Sequence, residues 1–157
     1  MKENEKNNNP EHVVVKQIIH ADRARVFDAW TKPEMMEHWY VGGQGRAKAT
    51  VDLKVGGKYT NEMTIAAHST CESTKDPSTG EKRYFHHGEY LEIKSPERLV
   101  FTWNSPSVQN TVVTVELREV KEGTEVTITH SLPSIESCES HQGGWTFALS
   151  NLASYLG

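Results

Sequence analysis

HQGGWTFALSNLASYL, residues 141–156, is the stretch whose reading decides the fold. Trp145, Leu149, Leu152 and Leu156 recur at steps of four, three and four, which sets them on one stripe of a helix. His141 stands four residues before Trp145, so the same stripe opens with a polar group. Residues 46–132 read as a run of strands, and strands with one apolar face need a cover. This terminal helix is the candidate cover. It either seals the sheet or leaves a chamber against it.

A chain of 157 residues suits one domain with a substantial core. Residues 11–157 are expected to form that single domain, and residues 1–10, all polar apart from Met1 and Pro10, a disordered tail. Seventeen Lys and Arg against 21 Asp and Glu, with no basic run, argue against nucleic acid or an anionic membrane as partner. No apolar run approaches the roughly 20 residues of a membrane span. With no apolar leader at the N-terminus, the expected location is the cytoplasm, where Cys71 and Cys138 would be free thiols.

Working from the N-terminus, residues 13–19, VVVKQII, form a β-branched first strand. Asp22 is placed to cap a helix that runs to about Trp30, with Val26, Phe27 and Trp30 on its buried side. Pro33 suits the first turn of a second helix, ending near Trp39. From Arg46 the period becomes two, with Ala47, Ala49, Val51 and Leu53 on a dry face. Val55-Gly56-Gly57 supplies a hairpin turn, and Tyr59, Asn61, Met63 and Ile65 share one face of the next strand. Residues 68–83 form a polar connection expected to be a mobile loop. Strands at 84–93, 98–104, 110–120 and 124–132 follow, with tight turns between them. Tight turns imply an antiparallel meander, because parallel neighbours need long crossovers. The order is one strand, two short helices, about six strands and a long helix. The fold class is therefore α+β, a curved antiparallel sheet of about six to seven strands around a C-terminal helix.

Several stretches also carry a resemblance. ARVFDAWTKPE at 24–34 followed by His38-Trp39-Tyr40, DLKVGGKY at 52–59, GEYLEI at 88–93 with PERLVFTW at 96–103, Thr129-His130, and His141 with Gly144-Trp145 occur in family order. They resemble the START-like (SRPBCC) superfamily, in the branch related to the activator of the heat-shock-protein-90 ATPase. The resemblance spans about residues 13–156 and implies a helix-grip fold with a cavity between sheet and helix. Family roles include ligand carriage, chaperone regulation and, in wider relatives, lyase or cyclase chemistry. No fixed catalytic motif transfers. Residues 68–83 match no family element.

Strand parity nominates the cavity lining. If Leu91 and Ile93 face the helix, His87 and Glu89 do as well; Tyr59, Asn61 and Met63 share a face, as do Val126, Ile128 and His130. Tyr59, Asn61, Met63, His87, Glu89, Trp103, His130, His141 and Trp145 are then the candidate ligand-binding residues, apolar walls with a few converging polar groups. A bulge at Gly88 would invert the parity of Glu89, and an interior histidine also serves as a hydrogen-bonded core residue. Trp103 and Trp145 read as core and as platform alike.

No catalytic set is assigned. A His/Glu acid–base pair has the right chemistry but no matching nucleophile, and Cys138 with His141 lacks an orienting third group. His86 and His87 are neighbours on a strand and point to opposite faces, so no metal site is expected. Residues 41–45, VGGQG, lack the Lys-Ser/Thr of a phosphate loop and read as a link or lid at one end of the cavity. The expected function is binding of a small hydrophobic molecule without a cofactor, by a monomer or homodimer acting as carrier or sensor. Regulation of a chaperone ATPase and acid–base catalysis on a bound substrate stand as alternatives.

Overall fold

The computed structural model describes residues 11–39, 45–65, 74–75, 82–105, 109–132 and 135–156. Strand β1 (Glu11–Ile19) leads into α1 (Arg23–Thr31) and α2 (Pro33–Trp39). Seven further strands follow: β2 (Gly45–Val51), β3 (Lys58–Ile65), β4 (Thr74–Lys75), β5 (Lys82–Lys94), β6 (Arg98–Trp103), β7 (Thr111–Val120) and β8 (Gly123–Leu132). Helix α3 (Ile135–Leu156) closes the chain. The strands run β1-β8-β7-β6-β5-β3-β2, antiparallel at every step, with the two-residue β4 paired to β5. This is the helix-grip architecture.

Local chemistry sets the elements. Asp22 has extended backbone angles and its carboxylate accepts from the Arg25 N–H at 2.9 Å, which satisfies one orphan donor of α1. Trp39 on α2 donates its indole N–H to the Ala29 carbonyl at 2.8 Å and meets Trp30 edge-on at 4.8 Å, locking the two short helices together. Glu37 accepts from the Ala49 N–H at 2.9 Å, which ties α2 to the edge strand β2.

The turn after β2 has two glycine requirements of different kinds. Gly56 sits at φ +87°, in the left-handed region, while a Cβ on Gly57 would lie 2.1 Å from the Asp52 carbonyl oxygen. The Gly56 N–H donates to the Tyr90 carbonyl at 2.8 Å, and the Tyr90 N–H donates to the Gly57 carbonyl at 2.9 Å, so this turn docks on the middle of β5. β2 ends at Val51, two residues short of Leu53, and Leu53 is exposed rather than on the dry face.

The core lies between the inner face of the sheet and the three helices. Val113, Val115 and Leu117 of β7, Val126 and Ile128 of β8, and Leu99 and Phe101 of β6 meet Trp145, Ala148, Leu149 and Leu152 of α3. The period-four-three spacing of the last helix is realised: Trp145, Leu149 and Leu152 are buried, and Leu156 packs partly buried against the same cluster. α3 runs chiefly along β1, with smaller contacts to β8 and α2. The outer face carries ion pairs such as Arg98–Glu116 at 2.6 Å and Arg118–Glu125 at 2.8 Å. Those side chains are exposed enough that each pair contributes little to stability.

The expected tail at 1–10 and the 41–44 part of the glycine link fall outside the described residues. Within the 68–83 connection the structure describes β4 and the start of β5, with Thr74 opposite Arg83 and Lys75 opposite Lys82.

Candidate functional site

β3, β5, β6 and β8 each bring polar or aromatic side chains to the inner face of the sheet. Tyr59 on β3 donates its hydroxyl to the Thr102 carbonyl at 2.8 Å and packs edge-on to Phe101 at 5.2 Å. His86 on β5 lies opposite Asn61 in the β3–β5 register and stacks on Trp103 of β6, 3.7 Å between ring centres and 13° from parallel. Trp103 in turn touches Trp145 at 5.1 Å, and Trp145 touches Trp30 of α1 at 6.0 Å. A continuous aromatic wall therefore joins the sheet to α1 and α3.

His130 is held by both ring nitrogens. Trp145 donates its indole N–H to His130 Nδ1 at 3.0 Å, so Nδ1 carries no proton. Thr111 Oγ1 gives its single proton to the Trp103 carbonyl at 2.8 Å and therefore accepts from His130 Nε2–H at 2.9 Å. These bonds fix His130 as the neutral Nε2–H tautomer. Its ring orients Trp145 and offers neither nitrogen to a further ligand.

Asn61 differs. It is 0% exposed, and neither its amide oxygen nor its amide nitrogen has a hydrogen-bond partner among the described residues. A buried amide in this state costs of order 1–3 kcal/mol for each missing partner, so it calls for a physical reason. Trp30, Met36, Tyr59, Tyr90 and Phe101 leave a gap of about 10 Å³, room for roughly one water molecule, which Asn61 does not line. Burial also pushes the Tyr90 phenol up from its ordinary titration range. Among the described residues no Asp, Glu, Lys or Arg is buried, and no group of three or more His, Cys, Asp or Glu is placed to hold a metal ion.

The family described as Activator of Hsp90 ATPase homolog 1-like protein matches residues 20–157. The chain belongs to this family. No curated protein matches it. Among solved structures it is similar to protein CV1439 from Chromobacterium violaceum, at 23% identity and TM-score 0.75, covering 94% of this chain and 98% of that one. It is also similar to an AHSA1-like protein from Aeromonas hydrophila, at 20% identity and TM-score 0.73, covering 92% and 91%. Protein Ms6760 from Mycobacterium smegmatis aligns at 15% identity and TM-score 0.74, covering 96% of each chain. Identities this low establish the shared fold and nothing finer.

In this AHSA1-like chain the inner face brings together Tyr59, Asn61, Trp103, His130 and Trp145, with Met63 partly buried at its margin. His141 lies on α3, and its side chain falls outside the described residues. His87 and Glu89 do not lie on this inner face. His87 is exposed beside Phe85, and Glu89 faces outward with Lys58 3.8 Å away. The expected parity fails because β5 bulges: Tyr90 pairs with Phe101 while Glu92 pairs with Val100, leaving Leu91 as the extra residue, 46% exposed. Ile93 faces in beyond the bulge; before it, the inward set is His86, Gly88 and Tyr90. The acid–base pair aimed at the chamber is thereby withdrawn.

His86, Tyr90 and Thr111 are the interior residues that parity reasoning missed. Gly88 held the available signal. A Cβ there would lie 1.9 Å from the Thr102 carbonyl oxygen, so β5 and β6 approach at that point with no room for a side chain. Read as an inward position, Gly88 would have carried His86 and Tyr90 inward with it.

Proposed function

We propose that this AHSA1-like protein binds a small, mainly apolar molecule against the inner face of the sheet, beneath α3, and acts as a carrier or sensor. Asn61 carries this reading: a fully buried amide with both polar atoms unpartnered, set among Tyr59, Trp103 and other rings, is the composition of a ligand site. The other inner-face polar groups with assigned bonds, Tyr59, Thr111, His130 and Trp145, hold the wall in shape. The gap bounded by Trp30, Met36, Tyr59, Tyr90 and Phe101, about 10 Å³, is far below ligand size, so binding there requires these rings to part.

The test is a metabolite-library screen read by intrinsic tryptophan emission and thermal shift. Trp103 and Trp145 lie in the wall and report directly on its rearrangement. Binding moves the emission and raises Tm in the same wells. A library that moves neither reading overturns the proposal. Regulation of a chaperone ATPase, the alternative that the family's description suggests, is decided by ATPase stimulation with the cognate chaperone at saturating protein.

A further inference from the structure

The chemistry around Asn61 narrows the ligand class, and this step rests on the binding reading above. A primary amide presents one acceptor and two donors in a single plane. Both polar ends of Asn61 lack partners, so exchanging its oxygen and nitrogen assignments changes nothing. The group that satisfies both ends at once carries a donor and an acceptor side by side: a primary amide, a lactam, or an enol beside a ketone.

Charge narrows the class further. No Asp, Glu, Lys or Arg is buried among the described residues, so none of those supplies a fixed counter-charge to an ionised carboxylate, phosphate or ammonium brought to Asn61. A carboxylate would also present only acceptors, matching the amide nitrogen and repelling the amide oxygen. The surroundings set the shape: His86, opposite Asn61 in the strand register, stacks flat on Trp103, and Tyr59 stands two residues away on the same face. A planar body suits a lining of aromatic rings, on whose faces and edges it can pack. We infer that the ligand is an uncharged, planar molecule whose polar edge sets one hydrogen-bond donor beside one acceptor, read in a bidentate manner by Asn61.

Three compounds of one shape separate the possibilities: 2-naphthamide, 2-naphthoate and 2-methylnaphthalene. Each is titrated into the ¹⁵N-labelled full chain while the side-chain NH₂ resonances are followed, and the Asn61 pair is assigned by its loss in Asn61→Leu. The expected result is that 2-naphthamide binds at least about tenfold more tightly than either analogue, because the analogues leave a buried polar group unpaired. It also shifts the Asn61 NH₂ pair, and Asn61→Leu brings the three affinities together. Equal binding of all three by the native chain, or preference for 2-naphthoate through His86, overturns the class while the binding reading stands. No binding by any of the three, together with a silent library screen, overturns both. A thermal melt of Asn61→Leu accompanies the titration, so that a misfolded variant is recognised and replaced by Asn61→Ser.

Discussion

Two corners of the same interior answer opposite needs. Around His130 every polar atom with an assigned role has a partner: Trp145 donates to Nδ1, Nε2–H donates to Thr111, and Thr111 donates to the Trp103 carbonyl. On β3, Asn61 is buried as completely and has no partner for either end of its amide. A satisfied buried network rigidifies a core, whereas an unsatisfied buried group lowers stability unless something outside the chain completes it. The first corner is therefore architecture, and the second is where the proposed ligand would complete the unpaired amide.

The largest expected effect breaks the satisfied corner. Trp145→Ala removes a buried indole that touches Trp30, Trp103 and His130, and strips His130 Nδ1 of its donor. A loss of about 3–5 kcal/mol is expected from denaturant unfolding, in the range of large-to-small core substitutions. A loss below about 1 kcal/mol would mean that α3 is not anchored at this point. Gly88→Ala comes next. Its Cβ would fall on the Thr102 carbonyl, a backbone atom of the adjacent strand, so β5 or β6 must shift, at about 1–3 kcal/mol. A near-neutral melt would show that the β5–β6 approach is looser than the geometry implies.

Asn61→Leu sharpens the comparison because its sign is reversed. Replacing an unpartnered amide by an apolar group of similar size is expected to leave the unliganded chain unchanged or to stabilise it by about 1–2 kcal/mol. The equivalent change at His130 would strand Trp145 and Thr111 and be destabilising. If Asn61→Leu instead costs stability as a core hydrogen bond would, the contrast between the corners disappears.

These two corners also show what the sequence could disclose. Terminal-helix spacing, the Asp22 cap, Pro33 and the alternation of β7 and β8 are local signals, and the structure follows them because each depends on residues within one or two turns. Tyr59, Asn61, Trp103 and His130 reach the interior because their strands keep register. β5 does not. Its bulge at Leu91 depends on the pairing partner Val100 and on the Gly56–Gly57 turn docking onto Tyr90, contacts that join residues far apart in the chain. Periodicity cannot report a register shift that is set by another strand. That is why His86 was missed and His87 nominated in its place.

Tyr90 tests the inward side of that bulge through pH. Burial raises its phenol, so the folded chain holds the proton where the unfolded chain, titrating near 10, has lost it. Stability from this group is complete below about pH 10 and falls as pH rises, by about 1 kcal/mol between pH 10 and 11. Comparing chemical denaturation of the native chain and Tyr90→Phe across that interval isolates the effect. Parallel curves for the two proteins would place the Tyr90 hydroxyl in water.

The smallest effect tests the outward side. His87 is exposed, and Glu89 is paired only with an exposed Lys58 at 3.8 Å, a geometry in which ion pairs contribute little. His87→Ala and Glu89→Gln are each expected to change stability by no more than about 0.5 kcal/mol. Both should leave the affinity of any chamber ligand within twofold of native. His86→Ala, one residue away, should alter both readings, because it removes the ring stacked on Trp103 opposite Asn61. A ligand whose affinity fell with His87→Ala and not with His86→Ala would reverse the assignment of faces on β5. It would restore the uninterrupted strand parity and remove Leu91 from the role of bulged residue.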